Sequence, residues 1–264
     1  MSTVARKVIR VSGAARREAT DELAVEEPLE IRIDTRPFVV TMRTPGHDEE
    51  LAAGFLFTEG LIASRKDIAE IHENRRNRSG NSLDVFLSAG SSIDLDRLRR
   101  RSFVSSSCGV CGKESIRALQ KRFKPIRSRV RVASELLLDL PNRLRAAQST
   151  FERTGGLHAA GIFTPDGKLI VAREDIGRHN AVDKVVGFGV LNSLLPFSEH
   201  VLVVSGRASF EIIQKAIAAK IPIICAVSAP SSLAVEFARA NGQTLVGFIR
   251  EKRMNVYAGK QRLR

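Results

Sequence analysis

The chain has 264 residues, 43% apolar and 27% charged, with a formal net charge of +13. That length and composition belong to a globular protein with one large core or two modest ones. No uninterrupted apolar stretch is long enough to span a bilayer, and with no Trp, one Tyr and thirteen Phe the chain lacks the stacking surface of an aromatic nucleic-acid binder. The excess positive charge nonetheless calls for an acidic partner, whether a phosphate-bearing small molecule, another protein, a membrane surface or nucleic acid.

Residues 1–24 carry Arg6, Lys7, Arg10, Arg16 and Arg17 without an apolar run of signal-peptide length, and read as a basic mobile arm. Residues 25–95 read as a smaller α/β region. Leu29, Ile31 and Ile33 alternate with Glu30 and Arg32, and Phe38 to Met42 follow a turn at 34–37, which is the period-2 pattern of a hairpin. A helix then opens near His47 with Asp48, Glu49 and Glu50 in its first turn, and Leu83 to Leu87 form a further strand.

Residues 96–132 form a basic segment, read as flexible. From Arg97 to Arg131 twelve Arg or Lys face one acid, Glu114, a net of +11. Within it lies Ser105–Ser106–Ser107–Cys108–Gly109–Val110–Cys111–Gly112, followed by a helix-like run from Lys113. A helix N-terminus and neighbouring cations favour a thiolate, so the setting suits sulfur chemistry. Half a zinc site, a redox disulfide and a chance pair remain open. A zinc site would be short of ligands, because no second Cys-x-x-Cys exists and Cys225 sits in the apolar run Ile221 to Val227.

Residues 133–264 read as the larger α/β domain. Ser134 to Gln148 is helical around Pro141, a hairpin turns at Pro165–Asp166–Gly167–Lys168, and a helix follows with Asp175 as its cap. Strands at 200–204, 221–227 and 244–249 alternate with helices at 210–220 and 231–240, which predicts a mostly parallel sheet covered on both faces. Ligands of such sheets collect where strands end and helices begin. Those crossovers read Ser205–Gly206–Arg207 and Ser228–Ala229–Pro230–Ser231–Ser232, both suited to phosphate, with Arg207 as a clamp. The cluster from Glu174 to Lys184 is either an exposed face with pairs such as His179 and Asp183 or a site lining, and His158 is either packed or a site residue.

Ser-Cys-Gly-Val-Cys-Gly at 107–112, Thr-Gly-Gly-Leu-His at 154–158, Glu-Asp-Ile-Gly-Arg-His-Asn-Ala-Val-Asp-Lys at 174–184, Ser-Gly-Arg at 205–207 and Met-Asn-Val-Tyr at 254–257 together resemble the FdhD family. The resemblance runs from about residue 25 to the C-terminus. It implies an accessory sulfurtransferase required for formate dehydrogenase. Such a protein accepts sulfur from a cysteine desulfurase as a persulfide and passes it to the bis(molybdopterin guanine dinucleotide) form of the molybdenum cofactor. It further implies Cys108 as the carrier, Cys111 as its partner, and cofactor contacts from Phe248, Ile249, Arg250, Glu251, Lys252 and Arg253, to which Ser205, Gly206, Arg207 and His179 are added as candidates.

A GDP-like moiety is expected to bind, with no structural metal. The implied fold is similar to cytidine deaminases: a mixed or parallel sheet with helices on both faces, in a homodimer. Deaminases need His-x-Glu beside their zinc cysteines, and His158–Ala159–Ala160 lacks the Glu. The expected compartment is the cytoplasm, with no nucleic-acid or membrane partner. A thiol–disulfide oxidoreductase and a basic nucleic-acid-binding protein are the alternatives.

Overall fold

Alternation along Leu29, Ile31 and Ile33 becomes strand β3 (Glu27–Ile33), paired antiparallel with β4 (Arg36–Arg43) in a computed structural model that describes residues 1–74, 80–89 and 125–264. Asp34 and Thr35 join them with φ of 46° and 66°, the left-handed pair that a tight hairpin turn requires. β3 also pairs in parallel with β6 (Ser82–Leu87), whose other neighbour is β5 (Ile68–Glu73), giving the order β4-β3-β6-β5. Helix α1 (Asp48–Thr58) lays Leu51, Ala52 and Leu56 against Leu29, Ile31, Leu83 and Val85. The sequence pattern does not reveal β5, because its apolar residues Ile68, Ile71 and Ala69 do not alternate.

The larger sheet has the order β12-β11-β10-β9-β7-β8. Its centre is parallel: β9 (Val201–Val204), β10 (Ile223–Ala226) and β11 (Thr244–Arg250). All eight residues of β9 and β10 are buried, as expected of strands covered on both faces. The hairpin of β7 (His158–Phe163) and β8 (Leu169–Asp175) adds antiparallel to β9, and β12 (Arg253–Ala258) adds antiparallel to β11, so the sheet is mixed.

Helix α2 (Ser134–Ala146) covers one face with Leu137, Leu140 and Leu144, running unbroken through Pro141. Leu144 is followed by the short helix α3 (Ser149–Thr154). On the other face Leu202, Val204 and Ile224 meet α4 (Arg178–Leu191), α5 (Phe210–Ala218) and α6 (Ser232–Ala240).

Helix α4 is buried on all sides, because α1 crosses its outer face at backbone contact. A Cβ on Gly54 would lie 1.8 Å from the Asp183 carbonyl oxygen, and one on Gly187 would lie 1.7 Å from that of Glu50. Two ion pairs are enclosed with it. Lys184 Nζ is 2.7 Å from Asp175 Oδ2, and Lys215 Nζ is 2.8 Å from Asp183 Oδ2. The exposed face with a His179–Asp183 pair is therefore not what forms: Asp183 and Lys184 are core residues with partners on other elements.

Residues 3–24, expected as a mobile arm, instead form the hairpin of β1 (Thr3–Ser12) and β2 (Ala15–Ala24), turning at Gly13 with φ of 59°. Arg6 is opposite Asp21, and Arg10, itself opposite Arg17, lies 3.8 Å from that same carboxylate. Arg153 Nη1 on α3 anchors the root at 2.7 Å from Glu22. Cys108, Cys111 and the basic residues from Arg97 to Lys124 lie outside the described residues.

Candidate anion-binding crevice

The C-terminal ends of β9, β10 and β11 open onto one crevice. After Val204 the chain runs through Ser205, Gly206 and Arg207 into α5, and after Ala226 through residues 227–231 into α6. The two crossovers support each other: Ala208 N–H donates to the Ala229 carbonyl at 3.2 Å, and Ser231 N–H donates to the Ala208 carbonyl at 3.0 Å. Ser231 Oγ accepts from Ala234 N–H at 3.2 Å, so this hydroxyl caps its own helix. Ser205 Oγ accepts from Ala159 N–H at 2.8 Å and pins the start of β7 to the end of β9.

Beside these crossovers lies a cavity of about 800 Å³. Leu138, Pro141 and Arg145 of α2 form one wall; Gly156, Leu157 and His158 form a second; Ser205, Val227, Ile249, Arg250 and Glu251 form the third. The Arg145 guanidinium lies 4.1 Å above the Phe151 ring and is paired with Glu152 at 2.8 Å, giving this wall a flat guanidinium surface.

Of the residues expected at the site, Ser205, Ile249, Arg250 and Glu251 line this cavity. Successive residues on a strand face opposite ways, so the stretch from Phe248 to Arg253 does not act as one surface. Ile249 is 3% exposed and packs in the core, whereas Phe248 is 41% exposed. Phe248 has φ of 52° where β11 bulges against β12, and Glu251 has φ of 37° in the turn between them. Phe248, Lys252 and Arg253 are not among the cavity's lining residues.

Gly206, Arg207 and His179 do not line the cavity either, but they lie around His158, which does. A Cβ on Gly206 would be 3.2 Å from His158 Nδ1 and 3.9 Å from Arg178 Cβ. Burial pushes the His158 imidazole below its ordinary pKa, with Arg178, His179 and Arg207 adding to the effect against Asp175. His158 is thus a neutral donor–acceptor ring beside three cationic or protonatable groups.

His179 Nε2 lies 2.8 Å from Glu211 Oε2 and 3.1 Å from Ser209 Oγ. The hydrogen bond from His179 holds the Glu211 carboxyl below its usual range, opposed by partial burial. Both partners meet the same ring nitrogen, so Ser209, His179 and Glu211 do not form a nucleophile relay, which needs its base bonded through opposite nitrogens.

Asp175 is the last residue of β8, and Gly177 stands at the N-cap of α4. The expected cap is thus replaced by a buried carboxylate that accepts from Gly177 N–H at 2.8 Å. Arg178, one of the 174–184 cluster read as either an exposed face or a site lining, enters the site because that turn delivers it beside Gly206. Cys225 is fully buried in β10, and burial pushes its thiol up to about 12, which removes it as a nucleophile. Among the described residues, no group of three or more His, Cys, Asp or Glu is placed to hold a metal ion, and no helix is long and apolar enough to cross a membrane.

Residues 24–264 match the model of the FdhD/NarQ family. The chain is 52% identical over 269 residues to the sulfur carrier protein FdhD of Streptomyces coelicolor, covering 99% of this chain and 95% of the relative. It is 48% identical over 273 residues to that of Mycobacterium tuberculosis, covering 99% of each. A crystal structure from Desulfotalea psychrophila, of a protein assigned as a formate dehydrogenase accessory protein, is similar over 100% of both chains with a TM-score of 0.80 and 26% identity.

Proposed function

The chain belongs to the FdhD/NarQ family, and from that premise we propose that it carries sulfur for formate dehydrogenase, loading a persulfide on Cys108 and delivering it to the bis(molybdopterin guanine dinucleotide) molybdenum cofactor. The relatives' shared name as sulfur carriers supports the carrier role. In the loading step a Cys108 thiolate attacks the outer sulfur of a desulfurase persulfide. The donor's S–S bond breaks, a new one forms on Cys108, and the donor cysteine leaves as thiolate. The net charge of +11 between Arg97 and Arg131 favours the attacking anion. Cys111, three residues further along the sequence, assists release in this reading.

The observation that carries the substrate assignment is the crevice at the strand ends. A cavity of about 800 Å³ with Arg145 over Phe151 in its wall suits a purine base, and the corner of His158, Arg178, His179 and Arg207 suits diphosphate. In this reading Ser205, Gly206 and Arg207 hold phosphate, Arg250 and Glu251 meet the base side, and the larger sheet is a relative of the cytidine deaminase sheet used without deaminase chemistry. The protein acts as a homodimer in the cytoplasm, between a cysteine desulfurase and formate dehydrogenase.

Intact-mass measurement after incubation with desulfurase and free cysteine tests the loading step. A gain of one sulfur, absent from Cys108→Ala, supports it. Loss of two hydrogens with no sulfur gained indicates a thiol–disulfide oxidoreductase instead.

A further inference from the structure

One buried carboxylate organises the turn between β8 and α4. Asp175 is 0% exposed. Its Oδ1 accepts from Gly177 N–H at 2.8 Å and Asn180 Nδ2 at 3.0 Å, and its Oδ2 accepts from Thr44 N–H at 3.3 Å and Lys184 Nζ at 2.7 Å. Lys184 Nζ also donates to the Thr44 and Glu174 carbonyl oxygens at 2.9 and 3.3 Å. Asn180 Nδ2 reaches the Met42 carbonyl at 2.8 Å, so the turn is tied at once to β4, β8 and α4. Such a fully satisfied buried network holds one geometry.

What this network presents is Arg178. Its Nε is buried and has no hydrogen-bond partner among the described residues. A buried donor left unmade is costly, and an oxygen of a bound anion would satisfy this one. Arg178 is the first residue of α4, where the helix N-terminus favours an anion. The missing side chain of Gly206 leaves the space between it and His158 open. His179 and Arg207 bring further positive charge to the same corner. The acids there are Glu211, engaged by His179 at 2.8 Å and also facing Arg178, and Asp175, paired with Lys184 at 2.7 Å, which leaves the two arginines in excess. Such a gathering of like charges is unfavourable alone and is offset by an anion.

We propose that Arg178 is an anion-holding residue of the crevice and that Asp175, tied to Lys184, is the positioning residue that holds it there. The anion is the diphosphate of a guanine nucleotide, an assignment that rests on the substrate reading above. A guanidinium meets phosphate oxygens in a paired, charge-assisted geometry.

The test is calorimetric titration of the full-length protein with GDP, inorganic pyrophosphate and guanosine, beside a urea denaturation curve for each variant. Arg178→Gln weakens GDP and pyrophosphate about tenfold or more and leaves guanosine unchanged. Asp175→Asn reproduces that loss, and the double variant is no worse than either single, because Asp175 acts through Arg178. Asn180→Ala, which loosens the turn while sparing the buried ion pair, gives a smaller loss in the same direction and serves if Asp175→Asn does not fold. Arg178→Gln binding GDP like the wild type overturns the first half. Losses at Asp175 or Asn180 that add to that of Arg178→Gln, or that appear only in the denaturation curve, overturn the second. Wild-type protein that binds none of the three ligands overturns the substrate reading and this inference with it.

Discussion

Lys215 Nζ lies 2.8 Å from Asp183 Oδ2 with 7% and 2% of the two side chains exposed, and Thr58 Oγ1 bridges them at 3.0 and 2.8 Å. The triad joins α1, α4 and α5. Burial disfavours the ammonium, yet Asp183 and Glu59 outweigh it and raise the Lys215 pKa. Removing one partner strands a buried charge, so Lys215→Met is expected to cost about 3–5 kcal/mol. Urea denaturation measures it, and Asp183→Asn combined with Lys215→Met should cost less than the sum of the two singles.

The contact between Gly54 and α4 leaves no room for a methyl group, since the atom it would meet is the Asp183 carbonyl oxygen at 1.8 Å. Backbone cannot yield as a side-chain tip does. Gly54→Ala is therefore expected to destabilise by about 3 kcal/mol or more, read as a lower urea midpoint. Alanine at Gly13, whose Cβ would meet nothing within 4 Å, is strained only by its φ of 59° and should cost about 1 kcal/mol.

Acid should weaken the fold before carboxylates protonate. His158 and His200 both have pKa values pushed below the ordinary 6.5, by burial first in each case. In the folded state they stay neutral while the unfolded chain takes up protons. Stability is thus complete above the unfolded value and falls as pH drops from there towards the folded values. Glu211, lowered by the His179 hydrogen bond, contributes a further loss only as pH falls below its ordinary 4.5. Denaturation curves between about pH 7 and pH 5 should show the slope, reduced in His158→Gln.

Cys225 should take no part in sulfur handling. With its thiol pushed up to about 12 and no exposure, it should resist iodoacetamide in native protein and react on unfolding. Cys225→Ala should load sulfur like the wild type, whereas persulfide on Cys225 in native protein would contradict the account.

Much of the architecture is legible where one residue pattern decides it. The alternation of Leu29, Ile31 and Ile33 marks β3, and the runs Val201 to Val204 and Ile223 to Ala226 mark the doubly covered strands. The elements that escape are those stabilised by partners distant in sequence. β12 is an antiparallel addition with exposed Arg253, Asn255 and Val256, and the β1–β2 hairpin is a ten-pair antiparallel ladder whose largely exposed residues carry no apolar alternation. Asp175 shows the same limit: Asp before a helix reads as a cap, and only the fold brings Lys184 and Thr44 to it. At the site, Ser205 follows from its place at a strand end and Arg250 and Glu251 from the family resemblance, while the role of Arg178 emerges from a buried nitrogen without a partner.

The central claim is that sulfur carried on this chain ends in the cofactor of formate dehydrogenase. The most direct measurement loads the protein with radiolabelled sulfur, removes the desulfurase, and supplies the molybdenum cofactor and apo-formate dehydrogenase. The account predicts label in the enzyme-bound cofactor and formate oxidation in proportion to it, with neither from Cys108→Ala. Full formate oxidation supported by a chain lacking both Cys108 and Cys111 would contradict it.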